Sequence, residues 1–173
     1  MKTVSTSKAT GFDPAQIIKE HQAGVWRYLR ALGCDSQQAD DFTQETFLKV
    51  LTKPFDNYNQ AATAAYLRRV AYHLLISAKR RDKRVMLVEN IEEVETTWSR
   101  WVTTDNGEEL LENLRECLEA LSQRARGALE MRFKERVPRA QIAASLEITE
   151  HGAKNLMQRA KKQLKTCIEG KMQ

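Results

Sequence analysis

At 173 residues the chain has room for one ordinary domain or two small helical ones, and its 42% apolar and 29% charged content suits packed cores beneath a water-facing surface. No apolar run reaches the roughly 18 to 20 residues needed to cross a bilayer, and the polar start lacks a signal-peptide core, so no membrane insertion and a cytoplasmic location are expected. Cys34, Cys117 and Cys167 are far apart, form no C-x-x-C pair and have no histidine at ligand spacing; they read as small buried apolar residues, with neither a disulfide framework nor a metal site.

Helical signals dominate and strand alternation is scarce, so the expected fold class is all-α. Residues 1–14 read as an N-terminal tail. Asp13 before Pro14 has the form of an N-cap with proline at the first helical position, and Ile18, Gln22, Val25, Leu29 and Leu32 recur at helical spacing until Gly33. A second helix begins at Asp35 or Ser36, turns Ala39, Phe42, Thr46, Phe47, Val50 and Leu51 inward, and ends before Pro54. After an aromatic loop over residues 54–60, a third helix from about Ala61 carries Leu67, Val70, Ala71, Leu74 and Ala78 on one side and ends in the charged run 79–84. These helices make a first small domain over residues 15–84.

Periodicity fades over residues 85–108, which read as an acidic linker with Glu89, Glu92, Glu93, Glu95, Asp105 and the tryptophans Trp98 and Trp101. These tryptophans are candidates to cover the second domain's core. Helical spacing resumes at Glu109 through Leu110, Leu114, Cys117, Leu118 and Leu121, and Ser122 caps a helix with Ala125, Leu129, Met131 and Phe133. Pro138 opens a short helix with Ile142, Ala143 and Leu146; a turn follows at Glu147 and Ile148, and Thr149 caps a last helix toward Gly170. Residues 109–173 thus form a second small domain with helix-turn-helix spacing.

The net charge of +5 is patterned. Residues 1–60 are balanced, 61–84 hold 7 basic residues against Asp82, 85–121 carry a net of −8 and 122–173 a net of +7. Two basic blocks flanking an acidic stretch suggest two contacts with a polyanion.

Three clusters have chemistry to offer. Asp41 and Glu45, four apart and about 6 Å from one another on one helix face, form an acidic patch with Asp40; they are a docking surface for a basic partner or solvated acids favoured by the helix dipole. On the third helix Arg68, Arg69, Lys79, Arg80 and Arg81 can neutralise phosphates, while Tyr58, Tyr66, Tyr72 and His73 offer flat faces for unpaired bases; the alternative is core-edge tyrosines and arginines at a helix C-terminus. On the last helix Lys154, Asn155 and Gln158, with His151 before them, can face base edges, and Arg159, Lys161, Lys162 and Lys165 can face phosphates. In isolation that segment also suits a basic amphipathic helix of the calmodulin-binding or membrane-surface kind. His21 and His151 show no metal spacing and read as surface or boundary residues. No catalytic constellation, cofactor motif or metal cluster is present, which argues against an enzyme.

The segment PRAQIAASLEITEHGAKNLMQRAKKQL, residues 138–164, resembles the helix-turn-helix of region four of bacterial RNA polymerase sigma factors. QADDFTQETFLKVL, residues 38–51, resembles the region-two segment that docks on the polymerase clamp, and AYLRRVAYHLLISAKRRDKR, residues 65–84, resembles the helix that melts and reads the upstream promoter element. Order and length place the resemblance in the extracytoplasmic-function (ECF) group. It implies that Asp40, Asp41 and Glu45 bind the clamp of the largest core polymerase subunit. It further implies that Tyr58, Arg68, Arg69, Tyr72, His73, Lys79, Arg80 and Arg81 hold melted promoter, in a pocket formed by the loop over residues 55–60. His151, Lys154, Asn155, Gln158, Arg159, Lys161 and Lys162 would contact duplex promoter. No cofactor is implied, and an anti-sigma protein is admitted as a further partner. A stand-alone helix-turn-helix regulator is the alternative. The sequence departs from the family at His73, usually asparagine, at Ser77, usually aspartate, and at Glu147, where a turn glycine is expected; Gly152 and Ala153 replace threonine and valine.

Overall fold

The computed structural model describes residues 13–53, 59–83, 85, 87–102 and 105–173. Tyr58, and with it most of the loop expected to form a pocket, lies outside them. All described elements are helices, in two units that meet in sequence between Gly107 and Glu108.

In the first unit, Asp13 caps α1 (Pro14–Ala31) by accepting from the Ala15 N–H at 3.0 Å. The buried face of α1 is Ile17, His21, Gly24, Val25, Tyr28 and Leu29. It is offset from the expected face: Gln22 is exposed, and His21, only 2% exposed, takes the inward place. An aliphatic count could not credit a histidine to a core. The helix ends in a Schellman turn, with Gly33 at φ 107° and the N–H groups of Gly33 and Cys34 donating to Arg30 and Leu29.

Asp35 and Gln38 form a reciprocal capping box at the start of α2 (Ser36–Leu51), which buries Ala39, Thr43, Thr46, Phe47 and Val50. Asn59 caps α3 (Gln60–Arg81), which buries Thr63, Leu67, Ala71 and Leu75 against α1 and α2.

The expected linker is instead partly folded. Residues 91–101 form α4 (Ile91–Trp101). Trp98, 6% exposed, packs its ring edge-on against Tyr28 at 5.6 Å, and Val102 is buried as well. Behind them Asn106, at φ 57°, donates to the Glu20 carbonyl and accepts from Arg27 at 3.1 Å. Gly24 makes this approach possible, because a Cβ there would lie 2.4 Å from Asn106 Oδ1. Ile91, Val94, Trp98 and Trp101 recur at 3.6-residue spacing; the acidic residues between them hid an amphipathic helix. Trp98 therefore covers the first unit's core, not the second's.

Burial of His21 under α4 disfavours its charged form and lowers its pKa, with Glu20 opposing. A depressed histidine pKa means that the unfolded chain binds the proton more readily. Stability from this group is accordingly complete above about pH 6.5 and falls as pH drops below that value toward the folded pKa. Chemical denaturation at a series of pH values should show this loss in the wild type and a flatter profile in His21→Gln; equal slopes would contradict it.

The second unit comprises α5 (Glu108–Glu119), α6 (Gln123–Phe133), α7 (Arg139–Ser145) and α8 (Glu150–Lys171). Its core is Ala125, Ala128 and Leu129 of α6, Ile142 of α7 and Met157 and Ala160 of α8, with Leu118, Leu121, Leu146 and Leu164 packed around them. Phe133, the last residue of α6, is 61% exposed, and its ring carries Lys161 Nζ at 6.0 Å.

The cysteine expectation is corrected too. Cys117 of α5 and Cys167 of α8 are disulfide-bonded, whereas Cys34 is a free buried thiol. Helices antiparallel in a small bundle can bring residues 50 positions apart together, and nothing in the local spacing reveals it. Closing so long a loop limits the unfolded chain and stabilises the unit by about 4 kcal/mol on the chain-entropy relation.

Candidate nucleic-acid interface

The turn between α7 and α8 is a Schellman motif without its glycine. Ile148 N–H donates to Ala143 O at 3.0 Å and Glu147 N–H to Ala144 O at 3.2 Å, with Glu147 at φ 54°. A side chain in that left-handed position costs about 1 kcal/mol relative to glycine. Glu147→Gly is expected to raise the stability of the second unit by about that amount in a thermal melt; a lower melting temperature would show that the glutamate side chain compensates. Arg124 reinforces the turn by donating to Leu146 O at 2.6 Å.

Thr149 then starts α8, its Oγ1 accepting from the Gly152 N–H at 3.0 Å. A Cβ on Gly152 would sit 3.2 Å from that oxygen, so the glycine that weakens helix propensity keeps the cap uncrowded. An exposed ion pair, Arg139 to Glu150 at 2.9 Å, spans the starts of α7 and α8. Ala153, Met157 and Ala160 pin one face of α8 to the core. The opposite face presents His151, Lys154, Gln158 and Lys162 to solvent, with Asn155 half-buried beside them and Lys161 turned along the edge toward Phe133. Arg159 is exposed on the flank.

On α3 the expected residues divide between two sides. Tyr66, Arg69, His73, Ser77 and Arg80 are exposed at spacings of three and four and share one stripe. Tyr72 is half-buried, with its ring edge to that of His73 at 5.7 Å, and Lys79 and Arg81 are exposed in the last turn. Arg68 lies apart from that stripe. It lines a small crevice with His21, Gly24, Trp98 and Asn106, and burial lowers its pKa. The crevice brings Trp98 of α4 beside Gly24 of α1 and Ala64 of α3, which the linker reading could not foresee.

On α2, Asp40, Asp41 and Glu45 are all exposed. Asp40 accepts from Trp26 Nε1 at 2.7 Å, which leaves Asp41 and Glu45 as the outward pair. Neither stands in the first turn, so the helix dipole does not account for them. Leu48, one turn further along the same face, is 67% exposed. Sequence reading passed over it, yet an exposed leucine at i+7 from Asp41 and outside the buried set was a readable signal.

Sigma-70 region 2 matches residues 17–85, and Sigma-70, region 4 matches residues 111–164. Each match falls within one of the two structural units. The chain belongs to the sigma-70 family, in its ECF group. A similar protein, the ECF RNA polymerase sigma factor SigE of Mycolicibacterium smegmatis, is 28% identical over 72 residues, which cover 42% of this chain and 28% of that relative. The stripe on α3 lies within the region 2 match of this sigma factor and the exposed face of α8 within its region 4 match. No described helix is long and apolar enough to cross a membrane, and among the described residues no cluster of His, Cys, Asp and Glu could hold a metal ion.

Proposed function

We propose that this sigma factor binds core RNA polymerase, brings it to a specific set of promoters and initiates transcription there, in the cytoplasm and without chemistry of its own. The observation that carries the reading is the sorting of exposed side chains by helix: acids around a leucine on α2, base-stacking and cationic groups on α3, and amide and cationic groups on α8. Asp41, Glu45 and Leu48 dock on a basic, partly apolar surface, the clamp of the largest polymerase subunit. Tyr66, Arg69, His73 and Arg80 capture bases and phosphates of the opened strand, each stacked base contributing about 1 to 3 kcal/mol. Both family departures on α3, His73 and Ser77, are exposed on that stripe, and they would alter which opened bases are preferred.

The N-terminal half of α8 enters the major groove of the upstream element. Lys154 and Gln158 meet base edges, Asn155 meets them at the rim, and Lys162 and Arg159 neutralise phosphate. Asn155→Ala is expected to relax one base preference, a discrimination of about 1 to 3 kcal/mol, in a randomised-promoter selection, whereas Lys162→Ala weakens binding to every sequence and flattens the salt slope. The same motif returned for Asn155→Ala and wild type would remove Asn155 from the reading set.

The whole reading is tested by mixing the full chain with core polymerase and a promoter library, then sequencing the transcripts. Co-purification in equal amounts and start sites sharing an upstream and a melted element are expected. A chain that binds duplex DNA but neither associates with polymerase nor directs start sites would be a regulator of another kind.

A further inference from the structure

We propose that Cys117 and Cys167 are a reversible thiol–disulfide switch, reduced by a dithiol and oxidised by a small disulfide, that sets how well the second unit binds duplex DNA. The DNA half of this inference rests on the reading of α8 given above.

The bond ties α5 to α8, the helix that carries the reading face. Cys117 lies near the end of α5 and Cys167 near the end of α8. Beside it, α5 is held on α8 by an exposed Lys171–Glu116 ion pair and by Asn113 donating to Met172 Sδ at 3.0 Å. An exposed ion pair contributes little by itself. Leu118 and Leu121, which follow Cys117, pack against the cluster that contains Met157 and Ala160, and these two residues seat the DNA-facing part of α8. Since α8 is one uninterrupted helix, a tie at Cys167 and a reading face at residues 151–162 belong to the same rod. Opening the bond frees α5, uncovers one side of that cluster and lowers the fraction of chains whose α8 is correctly seated.

The accessible chemistry is exchange. Cys117 is 2% exposed, whereas Cys167 is only half-buried, so an incoming thiolate attacks Cys167 Sγ and the Cys117 sulfur leaves as thiolate and takes up a proton. The second thiol of the reductant then attacks the mixed disulfide, releases Cys167 as a thiol and departs as a disulfide, two electrons having passed to the protein. Oxidation runs the same steps backward with a small disulfide as acceptor. Cys34 does not compete: it is buried, and its thiol is pushed up to about 11, which keeps it protonated at neutral pH.

The test uses the full chain equilibrated with oxidised glutathione or with dithiothreitol. After quenching and denaturation, alkylation read by mass should tag only Cys34 in the oxidised chain and all three cysteines in the reduced one. In parallel, anisotropy with a short fluorescein-labelled duplex of random sequence at low salt should show the oxidised chain binding about tenfold more tightly, as expected if about one reduced molecule in ten is competent. Cys34→Ala should keep the difference. Cys117→Ala with Cys167→Ala should bind like the reduced chain under both conditions; the wild-type comparison stands even if that variant folds poorly. Three tagged thiols in oxidised glutathione, or equal affinities in the two states, overturn the switch. Binding by neither form overturns instead the reading of α8 as a duplex reader.

Discussion

A chain carrying both Asp41→Lys and Glu45→Lys is expected to fold as the wild type does and to lose core polymerase. Both carboxylates are exposed and lie beyond the first turn of α2, so neither core packing nor the helix dipole depends on them. Truncating one member of a desolvated charge pair at an interface costs about 2 to 5 kcal/mol, and reversing two places like charges together, so affinity should fall by at least about a hundredfold. Leu48→Ala should weaken binding as well, with little response to salt, because its contribution is apolar. Far-ultraviolet circular dichroism should be unchanged for both variants, while co-purification with polymerase separates them from wild type. Retention of the double-lysine chain at wild-type levels in moderate salt would show that α2 is not the docking face.

These variants turn on features that the sequence exposed unequally. Caps were readable at Asp13, Ser122 and Thr149, since each presents a side-chain oxygen to a backbone N–H two or three residues on, a local event that local sequence determines. The acidic pair on α2 was readable for the same reason, as helical spacing alone puts Asp41 beside Glu45. What could not be read was packing between distant segments. Trp26, fourteen residues earlier, donates to the carboxylate of Asp40. Arg68 lines a crevice with Trp98 and Asn106. The Cys117–Cys167 pairing and the burial of His21 have the same origin. Glu147 is intermediate: the missing turn glycine was evident, and the structure adds that the turn keeps its left-handed geometry with a glutamate in place.

Replacing Trp98 by alanine is expected to destabilise the first unit by about 3 to 5 kcal/mol, the range for removing a buried aromatic side chain. Trp101→Ala, three residues away and half-exposed, should cost much less. The contrast separates a folded α4 from a solvated linker, for which the two tryptophans would be equivalent. In the folded arrangement Trp98 covers Tyr28, Val102 follows it into the core, and Asn106 closes on Gly24 through Glu20 and Arg27. Loss of the indole leaves a void that a short helix with few other buried residues cannot refill. Urea denaturation of each variant reports the free energies, and hydrogen exchange over residues 91–107 reports whether α4 is released. A fragment ending at residue 84 should behave like Trp98→Ala or worse, and one ending at Gly107 like the intact first unit. If both tryptophan variants unfold at the wild-type midpoint and residues 91–107 exchange freely in all of them, α4 is not docked, and Arg68 returns to the set of residues free to meet DNA.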